Sequence, residues 1–231
     1  MHKFLLKITI TLGLVAFIVG CGAGSTTDSF VLKKVTKPTV VLVFGDSISQ
    51  GYGTSAYGVV YQQITPGNTY TELLRAQIQS QGIAANAPVT VINASLGSEF
   101  TGDAIYRLPA LLAQYKPTHV ILAHGTNDAW TDLPNSYISG NLETMIRMVQ
   151  NSGAKALMAD VTFALYGADF GAAYSQMVLA LSVKTGATYI NLLAGVYANA
   201  KYYLDDGVHL NDSAQSIMMK NVWDQLIPSF D

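Results

Sequence analysis

Thr-Val-Val-Leu-Val-Phe at residues 39–44 runs straight into Gly45-Asp46-Ser47-Ile48-Ser49. The first six residues are apolar or β-branched on both faces, as a strand buried inside a parallel sheet requires. The glycine and the polar residues after it end the strand and open a turn or helix. Similar apolar runs recur at 89–93, 119–124, 156–161 and 188–192. Helical spacing lies between them. Leu142, Met145, Ile146 and Val149 fall at i, i+3, i+4, i+7; Phe170, Tyr174, Met177, Val178 and Leu181 do likewise. The last segment puts Ile217, Met218, Val222, Leu226 and Ile227 on one side, and Asp212 with Gln215 reads as its capping box. Alternating strands and helices imply right-handed crossovers and a parallel sheet covered on both faces.

Composition supports one such domain. The chain has 231 residues, 50% hydrophobic and 12% charged, which excludes a disordered chain. Its formal charge of −2 implies no basic face for nucleic acid. A single cysteine, Cys21, excludes an intrachain disulfide and a cysteine-based zinc site.

The N-terminus reads as an address. Lys3 and Lys7 flank the start of an apolar run over residues 8–19, a secretory pattern too short for a comfortable membrane span. The run ends in Ile18-Val19-Gly20-Cys21, which resembles the bacterial lipobox. That resemblance implies cleavage before Cys21, lipidation of its thiol, and a protein held at the membrane of a bacterial cell envelope. Residues 1–20 are then a signal peptide, 21–37 a lipidated tether, and 38–231 the folded domain. The mature part keeps 11 basic against 15 acidic residues, so the anchor gets no electrostatic help from anionic lipid.

In a parallel sheet, ligands bind at the carboxyl ends of the strands. Ser47 follows the first strand, with a helix N-terminus expected beside it. A serine nucleophile needs a base. His2 leaves with the signal, His119 reads as a polar strand edge, and His124 ends the third strand where it could line a site. His209 is the best base, because Asp206 precedes it by three residues in a glycine-containing loop. A carboxylate there can orient the imidazole toward a serine. Asn127 ends the third strand and offers an amide for an oxyanion. Asp46 and Asp128 are expected to bond loop backbone. Neither G-x-G-x-x-G, the lysine-bearing P-loop, nor Gly-x-Ser-x-Gly is present.

Taken together, these patches resemble the SGNH, or GDSL-type, hydrolases over residues 39–227. Gly45-Asp46-Ser47-Ile48-Ser49, Gly125-Thr126-Asn127-Asp128 and Asp206-Gly207-Val208-His209 match three of the family's blocks. Asn93-Ala94-Ser95 followed by Arg107-Leu108-Pro109-Ala110-Leu111-Leu112 is similar to the thioesterase/lysophospholipase-like and arylesterase branch. The resemblance implies a three-layer α/β/α sandwich with a flavodoxin-like five-stranded sheet. It also implies a Ser47–His209–Asp206 triad, an oxyanion hole from Ser47, Asn127 and a second-block donor, no cofactor or metal, and hydrolysis of small esters. The second block departs from the pattern, with Ser98 where the family has glycine and Gly97 one residue early. Ser98 is assigned the donor, with Gly97 as its rival.

The same resemblance leaves the substrate open among small acyl, aryl, thioester, lysophospholipid and acetylated-carbohydrate esters. Tyr52, Tyr57, Tyr61 and Tyr70 are expected to border the pocket, where they suit stacking or plain packing. A non-catalytic, lipid-anchored binding protein on the same scaffold is the alternative of another class.

Overall fold

The computed structural model describes residues 34–51, 64–161 and 168–231, with the side chains of 168–170 left aside. Residues 1–33 with Cys21, the tyrosines at 52, 57 and 61, and the Phe170 side chain lie outside these. Five strands form one sheet: β1 (Thr39–Gly45), β2 (Val89–Asn93), β3 (His119–Ala123), β4 (Lys155–Asp160) and β5 (Thr188–Asn191). Their order is β2-β1-β3-β4-β5 and every pairing is parallel. This is the flavodoxin-like order, with its switch point at β1 and β3.

The helices are α1 (Ser47–Gln50), α2 (Tyr70–Ser80), α3 (Thr101–Tyr115), α4 (Thr126–Trp130), α5 (Asn135–Asn151), α6 (Ala168–Thr185) and α7 (Asp212–Leu226). α2 packs on α7, while α5 packs between α3 and α6, so two helix layers enclose the sheet. Among the described residues no helix is long and apolar enough to cross a membrane.

The doubly apolar strands lie where their composition demands. Val41, Leu42, Val43 and Phe44 of β1 are fully buried, as are Val120, Ile121, Leu122 and Ala123 of β3. Each large aliphatic side chain so placed contributes about 1.5–3 kcal/mol. On α5 the four periodic residues Leu142, Met145, Ile146 and Val149 are all buried, and on α7 Met218, Val222 and Leu226 are too.

Two details differ from the sequence reading. α7 has no Asp212–Gln215 capping box. Asn211 is its N-cap, accepting from the Ser213 and Ala214 N–H groups at 3.1 and 3.4 Å. An asparagine also donates, and Asn211 Nδ2 reaches Lys201 O at 2.7 Å, tying the preceding loop to the helix as Asp212 could not. Asp212 instead accepts from Thr65, and Gln215 Oε1 accepts the Tyr70 N–H at 2.9 Å. A capping box does occur, at Thr69 and Glu72 of α2. Second, His119 is not a polar edge. It opens a central strand and is buried, with Nδ1 2.9 Å from Thr118 Oγ1 and Nε2 3.2 Å from Ser229 O, against the Phe230 ring.

Candidate active site

β1 delivers Ser47 to the carboxyl edge of the sheet. Asp46 is the N-cap of α1, its Oδ1 accepting the Ile48 N–H at 3.1 Å. That bond turns the chain sharply after the strand and leaves Ser47 as the first helical residue. α1 is a single turn, so it supplies none of the dipole expected of a longer helix. Asp46 is fully buried. Burial holds its carboxyl above the ordinary value, against the opposing pull of His124 and the Ile48 N–H. Asp128 likewise serves backbone, accepting the Thr101 N–H at 2.9 Å and the Thr101 hydroxyl at 2.5 Å at the start of α3.

The histidine comes from a tight loop before α7. Leu204 N donates to His209 O at 2.7 Å, closing a loop with Asp206 and Gly207 at its tip. Gly207 has φ +69°, a backbone state that favours glycine. Asp206 Oδ1 accepts the Val208 and His209 N–H groups, each at 2.9 Å. Its Oδ2 lies 2.7 Å from His209 Nδ1. The Asp-x-x-His spacing is thus what lets one carboxylate brace its own loop and hold the ring. Partial burial pushes the Asp206 carboxyl up. The hydrogen bonds from the His209 ring and the two N–H groups outweigh it and hold the group below the ordinary carboxylate value.

The third strand delivers Asn127. Gly125 carries φ +121°, and a Cβ there would sit 2.3 Å from the Tyr174 hydroxyl, which donates to His124 O at 2.8 Å. Glycine is required at that turn. Asn127 Nδ2 donates to Glu99 O at 3.0 Å, and its nitrogen carries a second hydrogen.

The second-strand loop separates the two rival donors. The Gly97 N–H is taken by Gln50 Oε1 at 2.6 Å. Among the described residues nothing takes the Ser98 N–H, and Ser98 itself adopts φ +61°. The left-handed residue is the serine, at a cost of about 1–2 kcal/mol. Asn93 braces this region: its Nδ2 donates to Ser49 O at 2.8 Å and its Oδ1 accepts the Ser95 N–H at 3.1 Å.

Ser47, Ser98, Asn127 and His209 line one cavity of about 200 Å³, joined by Thr126, Val208 and Trp130. Asp206 stands behind His209. A larger cavity of about 570 Å³ lies at the ends of β4 and β5, against Asp160, Ser175, Asn191 and Tyr197; none of the sequence-predicted residues faces it. His124, expected to line the site, is fully buried behind it with Nε2 2.8 Å from Glu99 Oε2. The Glu99–Arg107 pair was not visible as a site element in the sequence. Among the described residues no three His, Cys, Asp or Glu side chains converge as a metal ion requires.

The profile of the GDSL-like lipase/acylhydrolase family matches residues 43–217. The chain belongs to that family. An arylesterase of Vibrio mimicus is 30% identical over 192 residues, covering 81% of this chain and 88% of the relative. The thioesterase 1/protease 1/lysophospholipase L1 of Escherichia coli is 27% identical over 190 residues, covering 81% and 83%. The crystal structure of TesA superposes with a TM-score of 0.72 at 28% identity, covering 82% of this chain and 99% of that one. An acetyl xylan esterase, AlAXEase, shares the fold at a TM-score of 0.65 and 19% identity over 80% of this chain and 98% of that one. As a GDSL-type family member the chain is an esterase.

Proposed function

We propose that this esterase cleaves small carboxylic esters through an acyl-enzyme on Ser47. One observation carries the reading: the Asp206 carboxylate commits His209 Nδ1 at 2.7 Å, which leaves Nε2 as the remaining ring nitrogen in a cavity shared with Ser47. His209 takes the Ser47 proton as the hydroxyl attacks the carbonyl carbon. Asp206 keeps the imidazole in one tautomer and stabilises the imidazolium. The Ser47 and Ser98 N–H groups and Asn127 Nδ2 hold the oxyanion, each such donor lowering the barrier by about 2.7–4 kcal/mol. His209 then protonates the leaving alcohol, and water repeats the sequence to release the acid.

The relatives named arylesterase and thioesterase/lysophospholipase favour small acyl, aryl, thioester or lysophospholipid substrates. One feature favours an acetylated carbohydrate as a second reading: Trp130 lines the cavity with 61% of its surface exposed, a flat face on which a sugar ring can stack. Lipidation of Cys21, with the domain tethered at the cell envelope, is part of the same proposal and rests on the Ile18-Val19-Gly20-Cys21 sequence. A chromogenic short-chain ester tests the chemistry. Wild type should hydrolyse it and Ser47→Ala should not; equal hydrolysis by both would remove Ser47 as nucleophile, and no hydrolysis by either would leave a binding protein.

A further inference from the structure

Besides the Asp128–Thr101 bonds, the segment that carries Ser98 and the segment that carries Asn127 meet at one residue, Glu99. Glu99 follows Ser98 directly. Its backbone carbonyl accepts Asn127 Nδ2 at 3.0 Å. Its carboxylate is buried and gripped from two sides. Arg107 of α3 makes a fork, Nε to Oε1 at 2.6 Å and Nη2 to Oε2 at 2.5 Å, and its Nη1 donates to Ala94 O at 2.7 Å. The guanidinium lies 4.5 Å from the Phe44 ring centroid. On the other side His124 Nε2 meets Oε2 at 2.8 Å. A carboxylate only accepts, so the ring proton sits on Nε2. His124 precedes Asn127 by three residues, and its ring is packed 4.6 Å from Phe44.

We infer that Glu99, clamped by Arg107 and His124, is a positioning residue that holds the Ser98 and Asn127 donors in register. This rests on the oxyanion roles proposed above. The physical need is specific. Ser98 sits in a left-handed conformation that a serine does not favour, so its surroundings must over-determine it. A forked, charge-assisted pair fixes both distance and plane, which a single neutral bond does not. His124 adds a link to the third-strand loop beside the Asp128–Thr101 bonds, so the Glu99 carboxylate braces both donor segments. Oxyanion donors act only when aimed within a few tenths of an ångström, and their aim depends on such supporting groups.

The test uses purified protein and a short-chain chromogenic ester, with active-site content counted by folded fraction. Glu99→Gln keeps the shape and removes the charge. It should lower kcat about 10- to 100-fold, below the roughly 10²–10³-fold of losing a donor outright, with KM little changed. In an Asn127→Ala background the same substitution should cost distinctly less, because the group it positions is gone. Unchanged kcat for Glu99→Gln, or a full and independent loss in both backgrounds, would overturn the inference.

Should Glu99→Gln not fold, position 124 gives a second reading. Gln at 124 can place an amide N–H near the His124 Nε2 site, whereas Leu offers only apolar bulk. Positioning through the hydrogen bond predicts that His124→Gln retains more kcat than His124→Leu. Equal or better activity in the Leu variant means simple packing and removes the proposal. Ser47→Ala is run alongside. If it hydrolyses the ester like wild type, the catalytic reading itself fails, whatever Glu99 does. If it is inactive while Glu99→Gln keeps full kcat, only the positioning role fails.

Discussion

Asp206 Oδ2 lies 2.7 Å from His209 Nδ1, while Oδ1 of the same carboxylate takes two backbone N–H groups of its own loop. Orientation of the base and integrity of the loop therefore share one side chain. Asp206→Asn should lower kcat by about 10²–10⁴-fold, since an amide at this place can favour the wrong tautomer. KM should change far less. Steady-state kinetics on a short-chain ester check this, and a loss confined to KM would mean that Asp206 only shapes the pocket.

The pH dependence follows from the same pair. Only unprotonated His209 can accept the Ser47 proton, so kcat/KM should rise as the imidazole deprotonates. Asp206 is held ionised below the ordinary carboxylate range, so it should not limit activity in mildly acid solution. A rate that does not fall on acidification while the protein stays folded would count against His209 as base.

Ser98 offers a test of where the oxyanion donor resides. If the donor is the backbone N–H, Ser98→Gly keeps it and relieves a left-handed serine. Relief of about 1–2 kcal/mol is partly offset by the greater freedom of glycine in the unfolded chain. The expected result is kcat within about threefold of wild type, against the 10²–10³-fold loss of a deleted donor, and a melting temperature equal or slightly higher. A collapse of kcat would assign the donor to the serine hydroxyl instead.

Glu99 should also leave a signature in acid. Burial pushes its carboxyl up, but the bonds from Arg107 and His124 win and hold it below the ordinary value. A carboxyl lowered by folding adds stability above its unfolded pKa of about 4.3, and that stability is lost as pH falls through the lower folded value. Wild type should therefore melt well above Glu99→Gln near neutrality. The gap should begin to close below about pH 4.3. A gap independent of pH would mean that the charge of Glu99 contributes nothing.

Cys21→Ala addresses the anchor. Expressed in a bacterial host that lipidates envelope proteins, the full-length chain should fractionate with membranes and the variant with soluble protein. Activity on a soluble ester should be equal in both. A variant that stays with the membranes would contradict lipidation at Cys21.

The interior of the fold was legible because β1 and β3 are buried on both faces, which forces a nearly unbroken apolar run in each. The Asp206–His209 loop was legible because its chemistry is local, three residues apart. Other features were not. Asp212 and Asn211 are both good caps by type, and the choice fell to Asn211 because its amide could also hold Lys201 O. His124 follows a strand that points at the site, yet the side chain turns inward to a carboxylate 25 positions away. Glu99, Arg107 and His124 come from the second-strand loop, α3 and the end of β3, and nothing local in the sequence announces that they meet. The choice between Gly97 and Ser98 needed the Gln50 side chain, which occupies the glycine N–H.

The most direct trial of the account is covalent trapping. The protein is incubated with a small alkyl phosphonate ester carrying a good leaving group, then digested and read by mass spectrometry. One phosphonyl group should appear, on Ser47, formed at a rate that drops sharply in His209→Ala. Loss of activity with the label on another residue, or hydrolysis that persists with Ser47 replaced by alanine, would contradict it.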